Sequence, residues 1–169
     1  MAEHVAAWFL ENLHMTKEMI VFVISMIPVL ELRGGIAAAA FLKIELWDAI
    51  AYCIVGNMIP VPFILLCIRK IFRWLKKTKR FGPIIELLES KSLGEKSEKI
   101  RKYEFLGLLL FVGIPLPGTG AWTGSLIAAL LHVDFKKAIL AVILGVCLAA
   151  FIMCMIFYFL PWVGGIIMA

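Results

Sequence analysis

Ile114-Pro-Leu-Pro-Gly-Thr-Gly-Ala-Trp-Thr-Gly-Ser125 interrupts an apolar run that extends from about residue 105 to residue 131. The run is long enough to cross a bilayer, which requires about 20 apolar residues in a helix. However, Pro115 and Pro117 each remove a backbone donor, and the Gly118-Thr-Gly120 segment favours a turn over a helix. Irregular backbone at membrane depth is stable only where protein or a water-filled cavity covers it. The stretch therefore predicts two half-helices joined by a loop, arranged as a re-entrant hairpin.

An earlier apolar run is interrupted in the same way by residues 27–36 (IPVLELRGGI). At a shift of 89 positions, residues 35–50 (GIAAAAFLKIELWDAI) align with residues 124–139 (GSLIAALLHVDFKKAI), and Gly56 aligns with Gly145. The loop prolines align at a shift of 87, so the second loop is two residues longer. This pattern predicts an internal repeat. Paired segments interrupted by Gly and Pro also indicate the binding site of a transporter.

Composition places the chain among integral membrane proteins. Of its 169 residues, 63% are hydrophobic, and the mean hydropathy is +0.98, well above the values typical of soluble domains. The four cysteines lie inside apolar segments without the spacing of metal ligands, and the sequence contains no nucleophile motif or acidic pair typical of an enzyme. We therefore expect no metal, no cofactor and no enzymatic activity.

These observations predict an all-α integral membrane protein with two inverted repeats, each a re-entrant helical hairpin followed by a transmembrane helix. The whole chain, residues 1–169, is expected to form a single membrane domain. The first repeat covers about residues 16–72 and the second about residues 105–162, with a basic linker at 73–104 between them. Because two hairpins and two spans are few helices to enclose a cavity, we expect a homodimer.

The basic residues define the expected orientation. Of 17 Lys and Arg residues, 12 lie within residues 69–102, and two more are Lys136 and Lys137. If both interrupted runs are re-entrant, these residues all lie on one side, which the excess of positive charge assigns to the cytoplasm. Segment 69–104 is then cytoplasmic, both termini lie outside, and the two hairpins open to opposite sides. We expect membrane lipids as partners of the basic segment, and no nucleic acid.

Glu31 and Arg33 stand out in the first interruption, because a basic side chain inside a bilayer costs at least about 2.5–3.5 kcal/mol. One interpretation is an internal Glu31–Arg33 pair that pins the loop. The other is that Arg33 binds an anionic group of a substrate, with the backbone amides of Gly34 and Gly35 completing the site at a helix N-terminus. Glu31 is also a candidate proton carrier, because burial favours the protonated form of a carboxyl group.

The second interruption carries no charge but is rich in hydroxyl groups and glycine. Thr119, Thr123 and Ser125 are candidate substrate-binding residues, and Gly120 lets a ligand approach the backbone. The threonines are equally well explained as helix N-caps. Trp122 is a tryptophan expected at membrane depth, where its indole N–H needs an acceptor from the protein or from a ligand.

Glu31-Leu-Arg33-Gly-Gly-Ile and the stretch 114–128 (IPLPGTGAWTGSLIA) resemble motifs of the small multidrug export protein family, which is similar to the wider DedA (VTT-domain) superfamily. The resemblance covers roughly residues 18–160. It implies two inverted re-entrant hairpins and a role in lipid translocation, including polyprenyl-phosphate carriers and phospholipids, or in proton-coupled transport. Typical DedA members carry arginines in the second loop. This chain has none there, so only Arg33 corresponds to their basic residues.

The favoured function is secondary transport or flipping of an amphiphilic anion across the plasma membrane, coupled to an ion or to protons. A lipid phosphate, such as a polyprenyl phosphate, is one candidate substrate. One alternative is export of small-molecule drugs, with Glu31 as the proton-coupling site. Another is a membrane-shaping or scaffold role without transport, in which the basic segment 69–102 contacts the membrane.

Single cysteines at Lys43 and Lys136, in a protein that lacks the four native cysteines, test the predicted orientation. The two positions follow the first and the second interrupted run, so inverted repeats place them on opposite sides of the membrane. Lys43→Cys should react with an impermeant maleimide from outside, and Lys136→Cys only from inside. Labelling of both cysteines from one face would contradict the inverted arrangement.

Overall fold

The structure is a computed structural model that describes residues 2–13, 15–76, 98–131 and 133–161. Every regular element within these ranges is helical. In chain order the helices are α1 (Ala2–Leu13), α2 (Lys17–Met26), α3 (Glu31–Phe41), α4 (Leu46–Met58), α5 (Pro60–Lys76), α6 (Glu98–Gly113), α7 (Ala121–Leu130) and α8 (Phe135–Cys154), which continues into a π-helical turn at Met155–Phe159. Residues 77–97, which form most of the predicted basic linker, and residues 162–169 lie outside the described residues.

Both interrupted runs are broken where the sequence predicts a break. The first gap separates α2 from α3, and the second gap separates α6 from α7. Prolines occupy both gaps, because a proline ring clashes with the preceding helical turn and offers no N–H to continue it. The first gap is the shorter one and ends before Glu31. Glu31 and Arg33 therefore lie in the first turn of α3 and not in the loop.

Among the residues that the structure describes, two segments are long and apolar enough to cross a bilayer, namely Leu46–Ile68 with 23 residues and Phe135–Phe159 with 25 residues. The sequence predicts one long kinked helix for the first segment. The structure confirms the kink, since α4 ends at Met58 and α5 begins at Pro60, while Ile59 between them keeps helical backbone angles and donates to the carbonyl oxygen of Val55 at 3.2 Å. Proline suits the first position of a helix, where the N–H group has no partner within the helix.

The two halves of the chain repeat the same close contact between helices. A Cβ atom at Gly56 of α4 would lie 2.5 Å from the carbonyl oxygen of Phe22 in α2, and one at Gly145 of α8 would lie 2.8 Å from that of Leu109 in α6. The two glycines are 89 positions apart, and the two carbonyl residues are 87 positions apart. The offsets of 89 and 87 residues are the same two offsets that align the two interrupted runs in the sequence. Glycine allows the backbones to approach so closely because it has no side chain.

The connection that follows each interrupted run is also the same in both halves. The N–H of Ile44 donates to the carbonyl oxygen of Ala39 at 3.0 Å, and the N–H of Val133 donates to that of Ala128 at 3.0 Å. These bonds satisfy carbonyl groups at the C-termini of α3 and α7. The 89-residue shift relates one bond to the other. The same hydrogen bond therefore ends the second helix of each interrupted run.

The second helix of each interrupted run packs against the other half of the chain. α3 lies against α8, and α7 lies against α5. Ala38, Ala39, Ala128 and Ala129 are buried in these two helices, and such small side chains allow helices to approach closely. Because α3 and α7 each pack against the other half of the chain, the loop before α3 lies next to the loop before α7.

Alanine substitutions test whether the repeated glycine contact stabilises the fold. Gly56→Ala and Gly145→Ala should each lower the melting temperature in detergent, because the added methyl group meets a backbone carbonyl and overpacking costs about 1–3 kcal/mol. Gly107→Ala in α6 is the matched control, since a Cβ there meets no atom within 4 Å. It should leave the melting temperature unchanged or raise it, because Ala favours a helix over Gly by about 1 kcal/mol. Equal melting temperatures for all three variants would contradict the role of the contact.

Candidate functional site

Glu31, in the first turn of α3, caps α7 from the other half of the chain. Its carboxylate accepts hydrogen bonds from the backbone N–H groups of Ala121 at 3.2 Å and Trp122 at 3.1 Å. The first N–H groups of a helix have no partner within that helix, and the positive end of the helix dipole favours an anion there. α7 is preceded by Gly120, which has no side chain to act as a cap. Glu31, which is 5% exposed, fills this role with its carboxylate.

Gly120 makes room for this carboxylate. Any side chain at position 120 would overlap the carboxylate oxygens of Glu31. The backbone φ angle of Gly120 is 139°, in a region that residues with a Cβ rarely adopt. Glu31 itself has a φ angle of 49°, which is uncommon for a residue other than glycine and costs on the order of 1–3 kcal/mol. The bonds to α7 offset this cost.

Arg33 binds the other end of the same loop. Its Nη1 donates to the carbonyl oxygen of Leu116, and its Nη2 donates to the carbonyl oxygen of Ile114 at 3.2 Å and to Oγ1 of Thr119 at 2.7 Å. Ile114 and Leu116 directly follow the C-terminus of α6. The negative end of a helix dipole favours a cation at that position. The guanidinium group is therefore held by neutral acceptors at the end of α6.

We call the contacts of Glu31 and Arg33 with the second loop the loop latch. The hydrogen bonds of these two side chains go to the second loop, although the two charges also attract each other. An internal pair therefore contributes electrostatic attraction without a hydrogen bond, because side chains two positions apart on a helix do not face each other. The sequence does not reveal these partners, since all except the Thr119 hydroxyl are backbone groups, which no residue pattern distinguishes.

A cavity of about 630 Å³ lies between the two loops. Most of its wall is apolar, and its polar side chains are those of Glu31, Arg33, Thr119 and Thr123. The lining residues are Pro28, Val29, Leu30, Glu31, Arg33, Gly34, Ala37, Pro115, Leu116, Pro117, Gly118, Thr119, Thr123, Met153 and Phe157. Met153 and Phe157 come from the end of α8 and its π-helical turn. No sequence signal separates these two from the other apolar residues of that span.

The structure gathers most of the predicted site residues around this cavity but not all of them. Gly34 belongs to the lining, whereas Gly35 packs against the side chain of Ser25 in α2. Ser125 is buried, and its hydroxyl donates to the carbonyl oxygen of Ala121 at 2.6 Å. Gly35 and Ser125 therefore serve helix packing rather than the cavity wall.

Trp122 has two separate roles. Its backbone N–H binds Glu31, as described above, but its indole Nε1 is buried and finds no acceptor among the described residues. The acceptor expected for this group is thus missing from the part of the protein that the structure describes. Within the same part, no group of three or more His, Cys, Asp or Glu side chains is arranged to hold a metal ion.

A family model described as "Putative small multi-drug export protein" matches residues 31–152. The match covers well over half of the chain, begins at Glu31 and includes the whole of the second loop. No curated protein and no solved structure matches the chain significantly. The family match and the two apolar segments both indicate a membrane protein.

Valine substitutions of two threonines test the Arg33 side of the loop latch. Thr119→Val keeps the side-chain shape but removes an acceptor of the guanidinium group, together with the bonds of the same hydroxyl to Ile114 and Leu116. A hydrogen bond to a charged group contributes about 1.5–3 kcal/mol. We expect a lower melting temperature in detergent. Thr123→Val is the matched control, because its hydroxyl makes only a 3.4 Å contact with the carbonyl oxygen of Gly120. Equal effects of the two changes would show that the Arg33–Thr119 bond adds no stability.

Proposed function

The chain belongs to the family of small multi-drug export proteins, and we propose that it is a membrane transporter that carries an amphiphilic organic anion through the cavity between its two loops. The observation that carries this proposal is the composition of the cavity. Its wall is mainly apolar and contains one guanidinium group, that of Arg33. Sites for small molecules commonly combine apolar walls with a few fixed polar groups, and this combination suits a charged head attached to a hydrocarbon body.

Arg33 is better placed than Glu31 to bind a substrate. Glu31 is 5% exposed, and amide groups already bind both of its carboxylate oxygens. Arg33 is only half-buried, and its present acceptors are neutral. A guanidinium group forms paired, charge-assisted hydrogen bonds with phosphate or carboxylate. An anionic head therefore competes well with the carbonyl oxygens of the second loop for the same donors.

Transport requires the loop latch to open at both of its residues. An anionic head that takes the donors of Arg33 releases the end of α6. Protonation of Glu31 removes the negative charge that the N-terminus of α7 attracts, and it converts one acceptor oxygen into a donor. We therefore assign proton coupling to Glu31, which would take up one proton as the loops separate and release it as the carboxylate binds α7 again.

The inverted re-entrant arrangement belongs to the same proposal. α2 and α3 contain 10 and 11 residues. At 1.5 Å per residue these helices are about 15–17 Å long, and neither crosses a hydrocarbon core of about 30 Å. The unit α2–α3–α4 recurs as α6–α7–α8, and the basic segment 69–102 favours opposite orientations of the two units. Inverted repeats provide related states that open to opposite sides. A homodimer is the assembly that we propose.

Purified protein in lipid vesicles separates the candidate substrate classes. A fluorescent lipid phosphate represents a substrate that resides in the bilayer, and dodecyl phosphate represents one that is added from water. Ethidium represents a cationic drug. We expect transport of at least one phosphate probe and none of ethidium. Ethidium transport that depends on Glu31 and not on Arg33 would overturn the anionic substrate in favour of a drug exporter.

Arg33→Lys is the sharpest test of the binding group. Lysine keeps the charge but cannot form the paired hydrogen bonds of guanidinium, so transport of the phosphate probe should fall about tenfold or more. Lys136→Arg is the matched control, because Lys136 is exposed and does not line the cavity. Its transport should equal that of the wild type. An unchanged rate in the folded Arg33→Lys protein would exclude the guanidinium group as the anion ligand.

A further inference from the structure

A second cavity, of about 500 Å³, lies between α5 and α7. It is lined by Pro28, Phe63, Ile64, Cys67, Ile68, Trp122, Thr123 and Leu126. No charged side chain belongs to this lining, which is almost entirely apolar. We call it the apolar chamber and call the cavity between the loops the polar chamber.

The two chambers adjoin each other. Pro28 and Thr123 belong to the lining of both. Arg33 lies in the polar chamber only, and Phe63 and Leu126 lie in the apolar chamber only. A molecule with a charged head and a hydrocarbon tail could therefore occupy both chambers at once, with its head beside Arg33.

The apolar chamber also faces the side of the molecule where lipid is expected. Phe63 is 65% exposed and Leu126 is 39% exposed. Cys67 is exposed as well and lies near the end of the membrane-capable segment Leu46–Ile68. Large apolar side chains that remain exposed on such a segment are stable in contact with hydrocarbon. A hydrocarbon tail would thus meet the chamber directly from the bilayer.

Trp122 connects this chamber to the loop latch. Trp122 lines the apolar chamber, and its backbone N–H donates to Glu31. Its indole Nε1 is buried without an acceptor in the described part of the chain. A buried donor without an acceptor costs about 1–3 kcal/mol. A ligand that shifts this ring acts on a residue bonded to the latch itself.

We propose that the two chambers form one bipartite site, in which the apolar chamber admits the hydrocarbon tail of the substrate from the bilayer while Arg33 holds the anionic head. This inference rests on the proposed transport of an amphiphilic anion and specifies where the tail binds. Its ligand class is an alkyl or isoprenoid phosphate or carboxylate. The length of the tail then contributes to recognition as much as the charge of the head.

Protection of Cys67 from N-ethylmaleimide tests the tail site. The protein carries Cys67 as its only cysteine, after replacement of Cys53, Cys147 and Cys154, and is reconstituted in lipid nanodiscs. The matched control carries Cys67→Ala and Leu66→Cys. Leu66 is one position earlier on α5, is 56% exposed and does not line the chamber. Butyl phosphate and dodecyl phosphate are the probes, with dodecyltrimethylammonium as the cation of equal tail length.

We expect dodecyl phosphate to slow the alkylation of Cys67 at least about threefold, and butyl phosphate and dodecyltrimethylammonium to have little effect. None of the three should slow alkylation at position 66. Leu126→Trp, which fills the apolar chamber at a position outside the lining of the polar chamber, should abolish the protection, and its melting temperature in detergent checks that it is folded. Equal slowing at positions 66 and 67, or equal protection by the anion and the cation, would overturn the bipartite site.

The transport assay separates failure of this inference from failure of the proposed function. If Arg33-dependent phosphate transport occurs but Cys67 is never protected, the anion transporter stands and the tail site is rejected. If neither phosphate probe is transported, the proposed function fails first. A fluorescent lipid phosphate that protects Cys67 when dodecyl phosphate does not would still support the chamber, and would identify the bilayer as the source of the substrate.

Discussion

The structure depends on hydrogen-bond partners for the backbone groups at the break between α6 and α7. The break between α6 and α7 leaves carbonyl groups on one side and N–H groups on the other without partners within their own helices. Arg33 binds the first set, and Glu31 binds the second. Each charge meets the helix end whose dipole attracts it. One turn of α3 thus completes a loop that begins about 80 residues further along the chain, and the position of α3 against α8 follows from this requirement.

The sequence predicts the breaks well, because they arise from local chemistry. Proline prevents a helix from continuing wherever it occurs, so the interruptions of the two apolar runs are visible without a structure. The glycines at 56 and 145 align by simple counting, and the structure shows why, since each one faces a backbone carbonyl of a neighbouring helix. The kink between α4 and α5 is predictable for the same reason, because Pro60 and Pro62 offer no N–H groups to continue the helix.

The site is less predictable, because it depends on distant backbone groups. The sequence identifies Glu31 and Arg33 as costly charges, and it identifies Thr119 as a candidate ligand. It does not reveal that the second loop supplies the partners of both charges. Ser125 and Gly35 illustrate the opposite error, since their small polar or flexible character suits a ligand site and a tight helix contact equally well. Only the packing of α3 and α7 against neighbouring helices decides between these uses.

The close fit between Gly120 and the carboxylate of Glu31 restricts how this protein can evolve. A side chain at position 120 would occupy the space of the carboxylate, and a shorter residue at position 31 would leave the first turn of α7 without its cap. Neither position can change alone without loss, so their substitutions are epistatic. If the acid at position 31 is replaced, position 120 no longer has to be glycine. α7 then needs a residue such as serine or aspartate at position 120 as its N-cap. Covariation of these two positions across related sequences would record this dependence.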